Sequence, residues 1–156
     1  MKIAVLSDIH YPTRLREIPD LSDLLVSADQ IFILGDIVSS KVLDIIKLLG
    51  KPINCVYGNM DETDIVNGYP SHLFLKLMNF KIGLIHGWGA PFGIRKKITQ
   101  VFKEKPDLIL YGHTHQKYDK VENSIRYINP GAFCDGEYCM INIHMDHIDT
   151  EFLTWK

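Results

Sequence analysis

Neither sign of charge is in excess in this sequence. Its 156 residues carry 17 Lys and Arg against 19 Asp and Glu, which gives a formal net charge of −2 at pH 7. A dedicated nucleic-acid-binding protein is expected to be strongly basic, so no dedicated nucleic-acid-binding surface is indicated. Long hydrophobic runs are also missing: none approaches the roughly 20 residues needed to cross a bilayer, and residues 3–6 are too few for the core of a signal peptide. We therefore expect no membrane association.

Cysteine is scarce as well. Cys55, Cys134 and Cys139 are odd in number and do not have the spacing of metal ligands. A chain of this length can bury roughly 70% of its unfolded surface, so it needs no disulfide to fold. We therefore expect free thiols and a cytoplasmic protein. Because no repeat, low-complexity tract or linker divides the chain, we expect one domain over residues 1–156.

What the sequence does contain is a series of short apolar runs of strand length. They are rich in Ile, Val, Leu and Tyr and barely alternate with polar residues, which is typical of strands buried on both faces of a sheet. The five runs are residues 3–7, 31–34, 53–57, 82–85 and 108–111.

Apolar residues at helical spacing lie between several of these runs. They predict a helix over 42–49 with Gly50 at its end, and weaker helices over 21–28 and 94–102. Three pairs of strand-like runs with short turns between them predict antiparallel hairpins. These pairs are 73–78 with 81–85, 117–122 with 125–129, and 138–144 with 148–155. Together, these elements predict an α/β fold with strands of mixed direction, arranged either as one mixed sheet or as two packed sheets with helices outside.

Each of the five buried runs ends directly in polar residues that can bind a metal. In α/β sheets ligands bind at the carboxyl ends of the strands, where the loops gather on one edge. In an extended segment, residues two apart point the same way, and such a pair can hold one ion or serve two ions about 3.5–4 Å apart. We therefore expect seven side chains to meet at this edge: Asp8, His10, Asp36, Asn59, His86, His113 and His115.

The mixture of imidazole, carboxylate and amide donors suits borderline divalent metals, and the absence of cysteine after these strands argues against an iron–sulfur or thiolate zinc site. A carboxylate can bridge two cations, and Asp36 lies centrally among the ligand runs. Two bridged cations can in turn bridge and deprotonate a water, which gives a hydroxide nucleophile at neutral pH. This chemistry fits attack on a phosphoester.

With these motifs, in this order and approximate spacing, the sequence resembles the calcineurin-like metallophosphoesterase superfamily from about residue 1 to 145. Its length and its Gly-Asn-Met-Asp run resemble the small branch of bacterial and archaeal phosphodiesterases, which also includes the scaffold subunit of the eukaryotic retromer coat. The motifs are Asp8-Ile9-His10, Gly35-Asp36, Gly58-Asn59, His86, Gly112-His113-Thr114-His115 and Asn129-Pro130-Gly131.

The resemblance implies a four-layer αββα sandwich, the metallo-dependent phosphatase-like fold, with a two-metal site. It assigns Asp8, His10, Asp36 and His115 to the first ion, and Asp36 as a bridge with Asn59, His86 and His113 to the second. It also implies Mn²⁺ as the favoured ion, although Ni²⁺, Fe and Zn²⁺ accept such ligands. Asn59 is expected to contact the substrate phosphate as well, and a dimer or tetramer is a further expectation.

Two positions depart from the family pattern. Many larger members carry His after the Gly-Asn pair as the acid for the leaving group, whereas this chain has Met60, which cannot donate a proton. General-acid help is worth about 10²–10⁴-fold, so we expect a preference for esters whose leaving group needs no proton. His113 or a metal-bound water is the next candidate donor. The second departure is Trp88, where related short enzymes carry a polar residue.

The loop after His86 holds Trp88 and Phe92 among glycines. Their rings can stack on a ring of a substrate, or they can be buried by packing or between subunits, and we favour burial. Outside the ligand set, we expect His72, His144 and His147 at the surface and Asp61 in a turn or supporting the ligands.

Three functions remain open at this point. The first is a metal-dependent phosphodiesterase acting on a small phosphodiester or nucleotide-like substrate. The second is a non-catalytic interaction scaffold on the same fold, which has no need of a full ligand set. The third is a phosphomonoesterase or nucleotide pyrophosphatase with the same metals. All seven candidate ligands are present, which favours an enzyme over a scaffold.

Overall fold

The computed structural model describes all 156 residues. The strands are β1 (Lys2–Leu6), β2 (Gln30–Leu34), β3 (Ile53–Val56), β4 (His72–Leu77), β5 (Phe80–Ile85), β6 (Leu108–Tyr111), β7 (Tyr118–Glu122), β8 (Ile125–Asn129), β9 (Glu137–Ile143) and β10 (Ile148–Thr154). The helices are α1 (Leu21–Leu25), α2 (Ser40–Lys47), α3 (Thr63–Gly68) and α4 (Ile94–Thr99), with a 3₁₀ turn at Phe133–Asp135. None of the helices has the length and apolar character of a membrane span.

The strands form two five-stranded sheets of mixed direction. The first has the order β10-β9-β1-β2-β3, with β1, β2 and β3 parallel and β9 and β10 antiparallel. The second has the order β4-β5-β6-β8-β7, with β5, β6 and β8 parallel and the edge strands antiparallel. The five buried strands and three hairpins predicted from the sequence are confirmed. Helix α3 was not predicted, because Ile65 is its one buried side chain and its periodicity is correspondingly weak.

Alternate side chains of the central strands explain the layering. In β1, Ile3 and Val5 pack between the sheets against residues such as Leu84, while Ala4 and Leu6 pack on the opposite face against the helices. A third apolar cluster covers the outer face of the second sheet beneath α4. Both faces of the central strands are thus buried, which confirms the predicted four-layer αββα arrangement.

Candidate metal centre

Hydrogen bonds bring the loops that follow the parallel strands to one edge. In the first sheet the N–H of Asp8 donates to the carbonyl of Gly35 at 3.1 Å, and in the second the N–H of Gly112 donates to the carbonyl of His86 at 3.0 Å. A further bond, from the N–H of His113 to Asp8 Oδ2 at 3.1 Å, joins the two sheets. Residues from both sheets therefore share a single site.

Six of the seven predicted ligands form two compact donor groups. Within each group, one possible ligand atom from each residue lies within 4.8 Å of the others. The first group is Asp8, His10 and His115, and the second is Asp36, His86 and His113. This is the pairing of residues that the sequence predicted for two adjacent ions.

Asp36 lies between the two groups. Its Oδ1 accepts a hydrogen bond from the N–H of Met60 at 2.8 Å. Its Oδ2 is 3.2 Å from His86 Nε2 in one group and 3.7 Å from His10 Nε2 in the other. One carboxylate oxygen is thus anchored to the backbone, while the second faces both sets of imidazoles.

The two carboxylate oxygens of Asp8 likewise differ in their contacts. Oδ2 accepts from the hydroxyl of Ser7 at 2.7 Å and from the N–H of His113 at 3.1 Å. Oδ1 lies 3.2 Å from His115 Nε2, yet it is buried and has no hydrogen-bond partner. A buried carboxylate oxygen without a partner is costly, and a cation would remove that cost.

Carbonyl oxygens fix the orientation of two of the histidines. His86 Nδ1 donates to the carbonyl of Leu34 at 2.6 Å, and His113 Nε2 donates to the carbonyl of Gly89 at 2.8 Å. In the neutral form of each ring, the nitrogens left free to bind a cation are Nε2 of His86, which is buried without a hydrogen-bond partner, and Nδ1 of His113. Ligating histidines are typically held by such a bond from the other ring nitrogen.

The backbone at the site adopts left-handed conformations that side chains other than glycine rarely take. Strain of this kind clusters at functional sites, where the surrounding structure holds it in place. The residues with positive φ are Asp8 at 54°, His10 at 50°, Asp36 at 51°, His113 at 69° and His115 at 57°. The prediction that these pairs lie in extended segments is therefore wrong. His113 and His115 also face different donor groups because the chain turns sharply between them.

The donor set fits divalent metal ions. It combines imidazole nitrogens with carboxylate oxygens, and it leaves Asp8 Oδ1 and His86 Nε2 buried without hydrogen bonds. Thiolates do not belong to either of the two principal groups, although Cys134 and Asp135 form a further possible donor group with His115 at the rim.

Electrostatics at the centre keep the Asp36 carboxylate ionised. Burial is the largest single influence on Asp36 and acts to raise its pKa, but His86, the N–H of Met60 and His10 together lower the pKa below its usual value. Burial is also the largest influence on His86 and acts to lower its pKa, but Asp36, Asp8 and the carbonyl of Leu34 together raise it. Burial lowers the pKa of His10, whereas the Asp8 carboxylate raises that of His115.

The seventh predicted ligand, Asn59, is placed beside the donor groups but is exposed. It follows β3 and lines a cavity together with His86. Asp61 points elsewhere: its carboxylate accepts from the N–H groups of Val38 at 2.6 Å and Gly58 at 2.8 Å, so it organises the two loops as expected of a turn carboxylate.

Sequence reasoning missed Arg14 and understated Asn129. Arg14 Nη1 lies 2.9 Å from His115 Nδ1, which places a cation at the rim of the site. Nothing in the sequence around Arg14 marks it, because it lies in an irregular loop. Asn129 Nδ2 donates to the carbonyl of Gly112 at 2.9 Å and to Thr114 Oγ1 at 3.1 Å, and so holds the loop that carries His113 and His115.

The remaining histidines belong to neither of these two donor groups, and His72, expected at the surface, is half-buried at the start of β4. His144 and His147 are exposed at the turn between β9 and β10, where their rings stack at 4.3 Å and share Asp149. The burial expected for the loop aromatics does not occur within the chain: Trp88 is 46% exposed and Phe92 is 95% exposed. Burial between subunits stays a prediction.

Comparisons with known proteins agree with this geometry. The family model described as the calcineurin-like phosphoesterase superfamily domain matches residues 1–146. A protein of Methanothermobacter thermautotrophicus named "Probable metallophosphoesterase" is 31% identical over 160 residues, which cover 98% of this chain and 92% of that protein.

Solved structures show the same fold. A Thermotoga maritima protein has a TM-score of 0.83 at 32% identity and covers 98% of both chains. Chaetomium thermophilum Vps29 has a TM-score of 0.80 at 16% identity, over 99% of this chain and 97% of that one. A structure described as a novel archaeal phosphodiesterase has a TM-score of 0.74 at 20% identity, over 98% of this chain and 100% of that one. At these low identities the last two establish the fold alone.

Proposed function

The chain belongs to the calcineurin-like phosphoesterase superfamily, and from this premise we propose that it is a divalent-metal-dependent phosphodiesterase with a two-metal centre. The observation that carries the proposal is the pair of adjacent donor groups with Asp36 Oδ2 between them, 3.2 Å from His86 Nε2 and 3.7 Å from His10 Nε2. A substrate of small size, a phosphodiester or a nucleotide-like ester, is part of the proposal.

In this proposal Asp8, His10, Asp36 and His115 hold one ion, and Asp36, Asn59, His86 and His113 hold the other. Two divalent cations supply Lewis acidity, which polarises phosphoryl oxygens and makes a water acidic enough to attack at neutral pH. Mn²⁺ is the ion we propose, while Ni²⁺, Fe and Zn²⁺ suit the same donors.

The chain's own side chains would then position the substrate. Asn59 is exposed next to His86, so its amide can donate to a phosphate oxygen. Arg14, beside His115, can pair with the negative charge of the same phosphate.

The proton donor for the leaving oxygen is a separate question. The side chain of Met60 is 53% exposed, but it is a thioether and has no proton to donate. His113 or a metal-bound water is the candidate donor that we propose instead.

The scaffold and monoesterase alternatives are less well supported. A scaffold does not need buried ligand atoms without hydrogen bonds, such as Asp8 Oδ1 and His86 Nε2, which lower stability unless a cation is bound. Vps29 shares the fold but, at 16% identity, gives no support for a shared role. A monoesterase would use the same metals, and a comparison of substrates separates it from a diesterase.

The test is hydrolysis of bis(p-nitrophenyl) phosphate compared with p-nitrophenyl phosphate. We expect the purified protein to hydrolyse the diester with added Mn²⁺, to prefer it over the monoester, and to lose activity in EDTA. A folded, metal-loaded sample that hydrolyses neither ester with any divalent ion would support the scaffold. A preference for the monoester would support a phosphomonoesterase.

A further inference from the structure

A cavity of about 350 Å³ opens directly beside the metal centre. It is lined on one side by Asn59 and His86, which also belong to the centre, and on the others by residues that include Tyr57, His72 and Trp88. A volume near the lower end of the range for small-molecule pockets suits one ring system rather than a long chain or a second macromolecule.

The lining of the cavity contains no carboxylate, ammonium or guanidinium group. None of its ten residues is Asp, Glu, Lys or Arg, and the walls include Tyr57, Ile85, Trp88 and Val101. A second phosphate, a carboxylate or an ammonium group would therefore lose hydration there without gaining a charged partner. A neutral planar group would instead bury its faces against aromatic and aliphatic side chains.

Two further lining residues, Ser71 and His72, offer polar groups that suit the edge of such a ring. Ser71 Oγ lies 3.0 Å from His72 Nδ1, and the His72 ring meets Phe102 edge-on at 5.7 Å between centroids. The orientation of His72 is therefore fixed by contacts on two sides. A nucleobase combines apolar faces with hydrogen-bonding edges, which is the combination that this cavity offers.

Trp88 is the side chain best placed to stack on that ring. It lines the cavity and is 46% exposed, so part of the indole is accessible to a ligand. Phe92, in the same loop, is 95% exposed and does not line the cavity. Met60 does not line it either, although it follows Asn59.

We propose that this cavity, named here the ring site (Tyr57, Asn59, His72, His86, Trp88 and Val101), binds the base of a nucleoside whose phosphodiester lies on the metal centre. The substrate class is thus a nucleoside phosphodiester, with Trp88 setting specificity by stacking on the base. This inference rests on the proposed phosphodiesterase function, because the phosphate must lie beside Asn59 and His86 for the base to reach the ring site.

Two esters with the same leaving group test the ring site: thymidine 5′-(p-nitrophenyl phosphate) and methyl p-nitrophenyl phosphate. Stacking of a base on an aromatic side chain contributes enough that its loss lowers affinity by about 5- to 150-fold. In Trp88→Ala we expect kcat/KM for the thymidine ester to fall by a factor in that range and that for the methyl ester to stay within about 2-fold, a margin well below the smallest stacking effect. Phe92→Ala is the matched control and should change neither.

A second measurement does not depend on turnover. The chain has two tryptophans, Trp88 and Trp155, and Trp155 packs on Phe133 at 5.4 Å between centroids. In Trp155→Phe, excited at 295 nm, adenosine 5′-monophosphate with Mg²⁺ should quench the fluorescence of Trp88 in a saturable way. Ribose 5-phosphate under the same conditions should not.

The outcomes separate the two proposals. Quenching by adenosine 5′-monophosphate without hydrolysis of either ester would contradict the phosphodiesterase function and support the ring site. Hydrolysis of both esters with a ratio unaffected by Trp88→Ala, together with no specific quenching, would overturn the ring site and leave the phosphodiesterase function standing. An equal loss of both esters in Trp88→Ala would also overturn it.

Discussion

Individual side chains in the metal centre each have one atom tied to the protein and one directed at the shared space. Asp36 Oδ1 accepts a hydrogen bond from the N–H of Met60, and Asp8 Oδ2 accepts from the hydroxyl of Ser7 and the N–H of His113. His86 gives Nδ1–H to the carbonyl of Leu34. The residues of the two donor groups could be predicted from the sequence, because each follows a buried strand. Their left-handed backbone could not, since non-glycine residues at positive φ carry no sequence signature of their own.

Asp36 is the residue whose conservative replacement should damage the centre most. Asp36→Asn removes the charge that faces both donor groups while keeping the size of the side chain. We expect metal content to fall at both sites and the diesterase rate to fall by about 10²-fold or more, since even residues that only support ligands cost 10- to 100-fold. Elemental analysis after dialysis and a rate assay measure this.

The control for Asp36→Asn is the double variant His144→Ala with His147→Ala. It removes a second cluster of histidines that is exposed at the turn between β9 and β10. We expect full activity and two metal ions per chain. If the double variant lost activity while Asp36→Asn kept two ions and the full rate, the centre would have to be placed elsewhere.

We expect Met60 to make the rate depend steeply on the leaving group. Unless His113 or a metal-bound water supplies a proton, the leaving oxygen departs as an anion, so nitrophenyl esters should react well and alkyl esters poorly. Met60→His should help poor leaving groups far more than good ones, by up to ~10²-fold. The measurement is a series of leaving groups of rising pKa for both variants at saturating Mn²⁺.

A wild-type rate that barely changes across that series would show that another group supplies the proton, with His113 as the first to examine. An unchanged slope in Met60→His would show that the new ring does not reach the leaving oxygen.

The loops that carry the ligands depend on contacts made by strands. The parallel strands were predictable because both of their faces are buried and the runs are therefore continuous and apolar. What fixes the loop after β6 is a side chain from the neighbouring strand β8: Asn129 bonds Gly112 O and Thr114 Oγ1 and accepts from the N–H of Gly131. These bonds join the end of β8 to the loop after β6, and sequence spacing alone does not reveal them.

Asn129→Ala should therefore loosen the loop after β6 while leaving the sheets formed. Each buried partner left without its bond costs about 1–3 kcal/mol, so the urea midpoint should fall and Mn²⁺ affinity should fall with it. Gln116→Ala is the matched control, because Gln116 is exposed in the same segment. Equal stability and equal metal affinity in the two variants would show that Asn129 does not organise the loop.

Because the metal centre lies between the two sheets, metal binding is expected to affect the free energy of unfolding of the whole chain. Each donor group combines residues from the first sheet with residues from the second: Asp8 and His10 with His115, and Asp36 with His86 and His113. An ion bound there holds the sheets together at one edge and binds the unfolded chain far more weakly. Metal binding should therefore stabilise the folded chain by about 2.7 kcal/mol at a hundredfold excess over the dissociation constant.

The alkylation rates of the three cysteine thiols can be used to measure this stabilisation, because all three thiols are free and buried. Burial raises the pKa of Cys55 to about 12 and that of Cys134 to about 11, and it raises the pKa of Cys139, which lies between the sheets, as well. The reactive form is the thiolate, and a raised pKa depletes it at every pH below that value. At pH 8 the native protein should therefore react very slowly with iodoacetamide, and all three thiols should react in guanidinium chloride.

Alkylation of Cys139, followed by mass spectrometry of its peptide, measures how often the sheets separate. If it reacts through global unfolding, Mn²⁺ at a hundred times its dissociation constant should slow the reaction by about 10²-fold, which is the factor that corresponds to 2.7 kcal/mol. Asp36→Asn should abolish most of that protection, whereas the His144→Ala, His147→Ala variant should keep it. A Cys139 rate that does not respond to Mn²⁺ would mean that the sheets open locally, without releasing the metal, and that the centre does not hold them together.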